Sequence, residues 1–437
     1  MYGRRSRQGR AVIAGLTVST LALLAACSNP SGPDGGATLD PDEEVSISFT
    51  YWGNDVRIEL YDEALAVFEA KHPNIDVTAM PVSPNDYWEK LKVSASGGGL
   101  PDVVAMDLGF IREYSDNGLL ADLSPYLDHG IDTEPLSAEL LKTGVVDDVP
   151  TGIPVSTNAW GLYVNKTLLN QIGVEIFDGG TWDDYADWTS AVTTAAEDAG
   201  VPAWGATDIS TRVQVFELQL RAEGKQLFTE DGEVGFNEKD LQEFWESTAD
   251  LREDGDVVPQ QQLEEKYPLG GFDAALAVSE TNWDNFGSGY AGNLGEGYEL
   301  ALLAPPTSKV GSDDLYLKAS QLYSISAKSD HPEAGAALID FLVNSPESGE
   351  IFGSNRGLPA SSTALAAASL DDISTMIADH EVTIADRLGD PPPATPAGAG
   401  ALTDKFRLLA EELSYGTLTV DQAVDEFFSE LDVILDQ

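Results

Sequence analysis

The sequence predicts an α/β fold in which helices pack on both faces of a sheet. Apolar residues alternate with Ser and Thr over residues 45–52, which is the pattern of a β-strand. Apolar residues then recur at helical spacing over 58–68, and Pro73 ends that helix. Apolar segments at 75–77 and 102–107 predict the next two strands. Strands that alternate with helices in this way are typical of α/β sheets.

The chain begins with a predicted lipoprotein signal peptide, residues 1–26. A cluster of arginines precedes the uncharged stretch 11–26, which is shorter than the roughly 20 residues that a membrane-spanning helix requires. The stretch ends in LAAC, which resembles the bacterial lipobox and places Cys27 at the lipidated position. This position predicts that Cys27 anchors the protein to the outer face of the bacterial cell membrane. Because Cys27 is the only cysteine, no internal disulfide is expected.

Composition limits the class of protein. The formal net charge of the 437 residues is −50, and nucleic-acid partners require a basic surface, so we expect none. A hydrophobic content of 42% indicates a globular chain rather than a disordered one. Residues 27–44 are rich in Ser, Gly, Pro and Asp, which predicts a flexible tether between the anchor and the folded body.

The sequence contains no motif of a cofactor, metal or catalytic site. The glycines at 97–99 are followed by Leu100-Pro101-Asp102, whereas a phosphate-binding loop requires Lys and then Ser or Thr. The four histidines lack zinc-site spacing, and no Gly-x-Ser-x-Gly motif occurs. We therefore predict no cofactor, no metal and no catalytic residue.

Short motifs are distributed over the chain that follows Cys27. They lie at residues 51–53, 68–75, 98–104, 117–123, 152–155, 161–166, 181–185, 331–336 and 356–359. Each motif alone is loose. The ordered set, behind a lipobox, resembles extracellular solute-binding protein family 1, the family that includes the maltose-binding protein.

The resemblance implies a periplasmic-binding-protein-like fold, with two α/β lobes joined by a hinge in a type II-like arrangement. Residues 45–152 plus 304–346 are expected to form the N-terminal lobe. Residues 153–303 plus 347–437 are expected to form the C-terminal lobe, with the ligand held between the two.

The same resemblance places the interlobe crossings near 151–156, 303–306 and 344–350. The last helices are amphipathic and need a surface to cover, which we expect the C-terminal lobe to provide. Their apolar positions are Phe406, Leu409, Leu413, Val424, Phe427, Phe428 and Leu431.

The implied function is that of a substrate-binding lipoprotein of an ABC importer. It would capture a carbohydrate, a di- or oligosaccharide, and deliver it to the transmembrane permease subunits, acting as a monomer and not as an enzyme. Two alternatives remain: binding of a polyamine, peptide or other cationic or zwitterionic solute, and a surface glycoside hydrolase that uses two carboxylates.

Sugar chemistry identifies the residue types of the site. Hydroxyls need fixed donors and acceptors, and patches of C–H groups pack on flat aromatic rings. Trp52 and Asp107 follow strands, where ligands bind in α/β sheets. The resemblance adds Asn158 before a strand and Trp283 as a stacking ring, while Ser320 and Gln321 replace a glycine pair that is usual in the family. The predicted ligand-binding residues are Trp52, Asp107, Asn158, Trp160, Arg212, Trp283, Asp284, Gln321 and Arg356.

Overall fold

The structure is a computed structural model that describes residues 43–97, 99–396 and 398–435. The predicted signal peptide, Cys27 and nearly all of the predicted tether lie outside these residues. The described strands are β1 Val45–Trp52, β2 Ile75–Val82, β3 Val103–Met106, β4 Val145–Val146, β5 Val149–Pro150, β6 Ile153–Asn158, β7 Trp160–Asn165, β8 Trp204–Ala206, β9 Ala277–Trp283, β10 Leu300–Leu303, β11 Lys318–Ile325 and β12 Leu358–Pro359.

The helices of the described residues fall between and after these strands. They are α1 Asp55–Lys71, α2 Tyr87–Gly97, α3 Leu108–Asp116, α4 Ala138–Leu141, α5 Lys166–Ile172, α6 Trp182–Ala199, α7 Val213–Ala222, α8 Glu238–Ser247, α9 Ala249–Glu253, α10 Gln260–Lys266, α11 Gly287–Leu294, α12 Pro332–Asn344, α13 Pro346–Phe352, α14 Ser362–Ala367, α15 Asp372–Thr383, α16 Ala399–Ser414 and α17 Val420–Leu435. A 3₁₀ turn, Asp284–Phe286, joins β9 to α11.

The first sheet has six strands in the order β12-β6-β11-β3-β1-β2. Strand β1 runs parallel to β2 and β3, whereas β11 runs antiparallel to both β3 and β6. Consequently the carboxyl ends of β1, β3 and β6 and the amino end of β11 meet at one edge, where Lys318 pairs with Asn158.

The second sheet has four strands in the order β10-β7-β9-β8. Strand β9 is antiparallel to β7, with Trp283 opposite Trp160, and parallel to β8. Every residue of β7 is buried, as expected for a strand covered on both faces.

Capping explains where several helices begin. The Asn54 side chain accepts the Arg57 N–H at the start of α1. Thr181 and Asp184 form a reciprocal capping box at α6. Pro332 occupies the first turn of α12, where a missing N–H costs nothing. The helix predicted over 58–68 is thus confirmed, within a longer α1.

Each sheet has its own large hydrophobic core. The first core surrounds β1, β3 and β11 and includes Phe49, Phe68 and Leu322. The second surrounds β7 and includes Leu162 and Trp245. The prediction for the C-terminal helices is confirmed, because their apolar residues pack on this second core: Phe406, Leu409, Leu413, Val424, Phe427, Phe428 and Leu431.

The predicted α/β class is confirmed, and the chain passes between the two sheets three times. It leaves the first sheet at Ala159, between β6 and β7, which is later than the expected crossing at 151–156. It returns between β10 and β11, within residues 304–317. It leaves again after β12 rather than near 344–350. The lobe boundaries themselves stay a prediction. No helix in the described part of the chain has the length and apolarity needed to cross a membrane.

Candidate ligand-binding site

A cavity of about 520 Å³ lies where the edge of the first sheet faces the 3₁₀ turn after β9 and the helices α11 and α15. We call it the polar cavity. One wall is formed by strand ends of the first sheet, and the facing wall is formed by the 3₁₀ turn after β9 and by α11 and α15. The lining residues are Trp52, Arg57, Thr157, Asn158, Asp284, Asn285, Ser288, Ser320, Gln321, Ser354, Asn355, Arg356, Gly357, Leu358, Ser374 and Ile377.

Three buried polar atoms on these walls have no hydrogen-bond partner. They are Asn158 Oδ1, Asp284 Oδ1 and Gln321 Nε2, and the three residues are at most 5% exposed. An unpaired buried polar atom costs about 1–3 kcal/mol. A ligand that supplies the missing partners would recover this free energy, so the walls are suited to a polar guest.

Asp284 contributes a carboxyl from the 3₁₀ turn after β9. Its Oδ2 accepts the Ala159 N–H at 2.8 Å. Burial, together with the charge of the neighbouring Glu381, raises the pKa of Asp284 well above its usual value.

Glu381 contributes the second carboxyl, from the last turn of α15. Its Oε1 accepts the Thr157 hydroxyl at 2.6 Å. Burial raises the pKa of Glu381 to about 7, although the hydrogen bonds from Thr157 and Asp284 oppose the shift. Two ionised carboxylates can only accept, so the pair can hydrogen-bond only when one of them holds a proton. We call Asp284 and Glu381 the acid pair.

Trp52 supplies the aromatic surface of the polar cavity. Its ring packs edge-on against Tyr87, with centroids 4.9 Å apart, and at a tilt against Trp88 at 5.8 Å. Since these contacts fix the ring and leave it half-buried, Trp52 can present a face to the apolar side of a ligand.

Arg57 supplies a cation from the first turn of α1. Its Nε donates to Asn355 Oδ1 at 2.9 Å, and its Nη2 donates to the Asn355 carbonyl. None of the ion pairs among the described residues involves Arg57. The sequence analysis missed Arg57, although its place just after β1 was a usable signal.

Five of the nine predicted residues therefore line one cavity: Trp52, Asn158, Asp284, Gln321 and Arg356. Ser320, whose role the sequence left open, lines it too and donates to the Arg356 carbonyl at 2.9 Å. The lining residues that sequence reasoning missed include Arg57, Asn285, Ser288 and Asn355. It also missed Glu381, which does not line the cavity but accepts a hydrogen bond from the lining residue Thr157.

Arg356 lines the polar cavity, but its guanidinium is used by the first core. It donates to the Tyr323 hydroxyl at 2.9 Å and to the Leu342 carbonyl at 3.0 Å, and it stacks on Phe352 at 3.7 Å. Its predicted contact with a ligand hydroxyl therefore has no support from geometry, and we leave it out of the proposed site.

Trp283 and Asp107 lie on a different, less polar cavity of about 250 Å³. Asp107 Oδ1 accepts the Gly109 N–H at 2.8 Å and so caps α3. The Trp283 ring packs edge-on against Trp160 at 5.2 Å, with the Lys318 ammonium 5.2 Å from its centroid. Neither residue is among those that line the polar cavity, and their contact with a ligand stays a prediction.

Trp160 and Arg212 are also separate from the polar cavity. Trp160 is 3% exposed, and its carbonyl lies 3.2 Å from His380 Nε2, so it is a core residue. Arg212 forms an ion pair with the buried Glu280 at 2.9 Å, beside a third cavity of about 190 Å³. This ion pair joins the start of α7 to β9.

The described residues contain no group of three or more His, Cys, Asp or Glu side chains arranged to hold a metal ion. The polar cavity offers hydrogen-bonding groups, one aromatic ring, the Arg57 cation and the buried carboxyl of Asp284. These groups are suited to binding a hydroxyl-rich or amine-bearing molecule.

Comparison with known proteins places this arrangement in a family. The model of the bacterial extracellular solute-binding proteins matches residues 54–347. The multiple sugar-binding protein of Streptococcus mutans is 24% identical over 199 residues, a match that covers 44% of this chain and 43% of that protein. The chain therefore matches less than half the length of this curated relative.

Solved structures match over most of the chain. An extracellular solute-binding protein family 1 member from Alicyclobacillus acidocaldarius is 26% identical with a TM-score of 0.75, covering 91% of this chain and 100% of that one. A periplasmic oligogalacturonide-binding protein from Yersinia enterocolitica is 22% identical with a TM-score of 0.76, covering 90% and 99%. The predicted family and its fold are confirmed: this chain belongs to the bacterial extracellular solute-binding protein family.

Proposed function

We propose that this protein captures a carbohydrate in the polar cavity and delivers it to the permease of an ABC importer. The observation that carries the proposal is the set of buried, unpartnered atoms of Asn158, Asp284 and Gln321 beside the ring of Trp52. A sugar offers hydroxyls that both donate and accept, and C–H faces that pack on an aromatic ring. The cavity volume falls within the roughly 300–1,000 Å³ of small-molecule sites.

The ligands named for structurally similar proteins support a carbohydrate as the ligand class. The Yersinia structure is named for oligogalacturonide, a Listeria monocytogenes substrate-binding protein was solved with cycloalternan, and the GacH receptor of Streptomyces glaucescens was solved with acarbose. These ligands differ, so they support the class of ligand and not one sugar. A di- or oligosaccharide remains our choice.

The acid pair does not suit a glycoside hydrolase. Such enzymes hold two carboxyl groups about 5–9.5 Å apart on opposite sides of the scissile bond. Asp284 and Glu381 lie within hydrogen-bonding reach of one another, which leaves no room for a glycosidic linkage between them. This pair gives no support to a hydrolase, and family membership supports binding without chemistry as the function that we propose.

Lipid attachment at Cys27, delivery to transmembrane permease subunits and a monomeric state complete the proposal. The motif LAAC supports the anchor, and family membership supports the partner. Closure of the two sides around the ligand would create the surface that the permease recognises, because only then do both sides contact the guest.

A thermal-shift screen of neutral and amino mono- and oligosaccharides tests the function, because a ligand that binds only the native state raises the melting temperature. We expect a concentration-dependent rise with at least one sugar, which is recovered intact. A rise with spermidine or a dipeptide and with none of the sugars would refute the carbohydrate proposal. Release of sugar fragments would refute the assignment as a binding protein.

A further inference from the structure

The Arg57 guanidinium has one edge that no described residue uses. Its Nε donates to Asn355 Oδ1 at 2.9 Å, and its Nη2 donates to the carbonyl of the same residue. These two bonds occupy the side of the guanidinium that carries Nε. Among the described residues, Nη1 has no hydrogen-bond partner, so the outer edge, which Nη1 and Nη2 form, can donate to a guest in the polar cavity.

The position of this guanidinium is fixed before a ligand arrives. An added Cβ at Gly53 would lie 2.9 Å from Arg57 Cβ and 3.0 Å from its Cγ and Cδ, so only glycine leaves room for this stem. The Asn54 side chain accepts the Arg57 N–H and thereby fixes the backbone at the start of α1. Because the group is already ordered, its pairing with a ligand loses little conformational entropy.

The lack of an acid partner for Arg57 is unusual in a chain with 74 acidic and 24 basic residues. Of the eight arginines among the described residues, five form ion pairs, and Arg57, Arg221 and Arg356 form none. Arg57 and Arg356 both line the polar cavity. An acid-rich chain that leaves both cations of one cavity without an acid is suited to an anion that comes from outside.

Asp284 is the one acid among the described residues that line the polar cavity, and it lies on the wall that faces the first sheet. Burial, together with the charge of Glu381, raises the pKa of Asp284 well above its usual value and so favours its uncharged form. The formal charge of −50 on the whole chain acts from further away, and salt screens exposed charges beyond about 8 Å. The local charge at the cavity is therefore positive on the side of Arg57.

We propose that the captured carbohydrate carries a carboxylate and that this group pairs with the outer edge of Arg57. This inference rests on the proposed carbohydrate function and narrows the ligand to sugars that contain a uronic acid. Two parallel N–H groups of a guanidinium match the two oxygens of a planar carboxylate. The hydroxyls of the sugar then pair with Asn158 and Gln321, and its C–H face packs on Trp52.

A phosphate group and a hydroxyl are poorer matches to this edge. A phosphate ester carries about −1.5 to −2 charges at neutral pH, whereas Arg57 offers one charge and the Arg356 guanidinium is engaged by Tyr323 and Leu342. A hydroxyl carries no charge, and charge-assisted hydrogen bonds are roughly twice as strong as neutral ones. We therefore expect the uronate form of a sugar to bind at least about tenfold more tightly than the matched neutral form.

Matched sugars test the inference on the unmodified protein and extend the thermal-shift screen. Galactose, galacturonate and the methyl ester of galacturonate, and the α-1,4-linked dimer of each, differ only at C6, and the glucose series offers the same comparison. Titration calorimetry at pH 7 measures the affinities. In at least one series we expect the acid to bind at least about tenfold more tightly than both the ester and the neutral sugar. Since the ester keeps the carbon skeleton of the acid, this difference reports the charge.

Variants of Arg57 separate its contribution from the charge of the whole chain. Arg57→Gln should bring the acid and its ester to similar affinity. Arg57→Lys, which serves as the check if Arg57→Gln folds poorly, should keep only part of the preference, because lysine retains the charge without the fork. Arg221→Gln is the matched control: Arg221 also lacks an ion pair and donates to the Asp314 and Asp390 carbonyls, but it does not line the polar cavity. It should keep the full preference.

The outcomes distinguish this inference from the function on which it rests. Equal affinity for acid, ester and neutral sugar would overturn the carboxylate preference and leave carbohydrate capture standing. Tighter binding of glucose 6-phosphate than of glucuronate and galacturonate would also overturn it. A preference for the acid that persists unchanged in both Arg57→Gln and Arg57→Lys would remove Arg57 from the site. A response to spermidine with no response to any sugar, acidic or neutral, would overturn both the inference and the proposed function.

Discussion

Replacing Asn158 by leucine should weaken ligand binding and at the same time stabilise the empty protein. The Asn158 side chain is buried at the end of β6, and its Oδ1 has no partner. Leucine has a similar size and removes the unpaired acceptor. An ordinary binding-neutral core residue would show the opposite behaviour, because core substitutions usually destabilise.

The magnitudes follow from the unpaired atom. Removal of a buried, unsatisfied carbonyl should stabilise the ligand-free protein by about 1 kcal/mol, near the lower end of the cost of such groups. The ligand, in turn, loses a hydrogen bond and keeps an unpaired hydroxyl or amine in the closed cavity. That loss should be about 1–3 kcal/mol, or roughly 5–150-fold in the dissociation constant.

Chemical denaturation without ligand and calorimetry with the sugar found in the screen provide the two readouts. Gln214→Leu is the matched control, since it makes a similar change on the less polar cavity. We expect the control to keep the affinity of the wild type. Unchanged affinity in Asn158→Leu, or a clear loss of stability without ligand, would refute the assignment of Asn158 as a ligand-binding residue.

Three further predictions follow from the same geometry. The pKa of the Glu381 carboxyl rises from 4.5 to about 7 on folding, so the stability that depends on its protonated form is fully present below about pH 4.5 and declines as the pH rises through about 7. Glu381→Gln should remove this pH dependence. Melting curves should show the variant equal to wild type at pH 4.5 and more stable at pH 8, by at most about 3 kcal/mol. Trp52→Ala should weaken binding by about 1 kcal/mol in calorimetry, whereas Trp283→Ala should leave affinity unchanged, and the reverse result would move the site to the less polar cavity. Arg356→Met should lower the free energy of unfolding by about 3 kcal/mol in a denaturant titration, because hydrogen bonds from a buried guanidinium are lost; a variant of normal stability that binds poorly would instead restore Arg356 to the ligand site.

Local sequence patterns were sufficient for the framework of the site. Alternation over residues 45–52 predicts β1, and its carboxyl end places Trp52 at the sheet edge that holds ligands. The family resemblance supplied Asn158 and Gln321, which the structure brings to the same edge through the pairing of β6 with β11. Backbone periodicity and strand order are enough to place Trp52, Asn158 and Gln321 at one edge of the first sheet.

Side-chain direction was beyond the reach of the sequence. Trp283 and Asp284 are adjacent, but the chain turns into a 3₁₀ helix between them, so the two side chains line different cavities. Arg356 lies in a motif that the family resemblance marked, but its guanidinium enters the first core, where Tyr323 and Leu342 supply acceptors. Only tertiary packing decides such directions.

Glu381 shows why part of the site could not be found. It lies on α15, 224 positions from the Thr157 hydroxyl that it accepts. Nothing local marks it, since the chain has 74 Asp and Glu residues. A contact between such distant positions depends on the return of the chain after β12, which the sequence placed too early.

A crystal structure with the bound sugar tests the central claim most directly. We predict that the sugar lies in the polar cavity, with a C–H face against Trp52 and hydrogen bonds to Asn158, Asp284 and Gln321. A sugar stacked on Trp283 beside Asp107, or bound outside both cavities, would contradict this account.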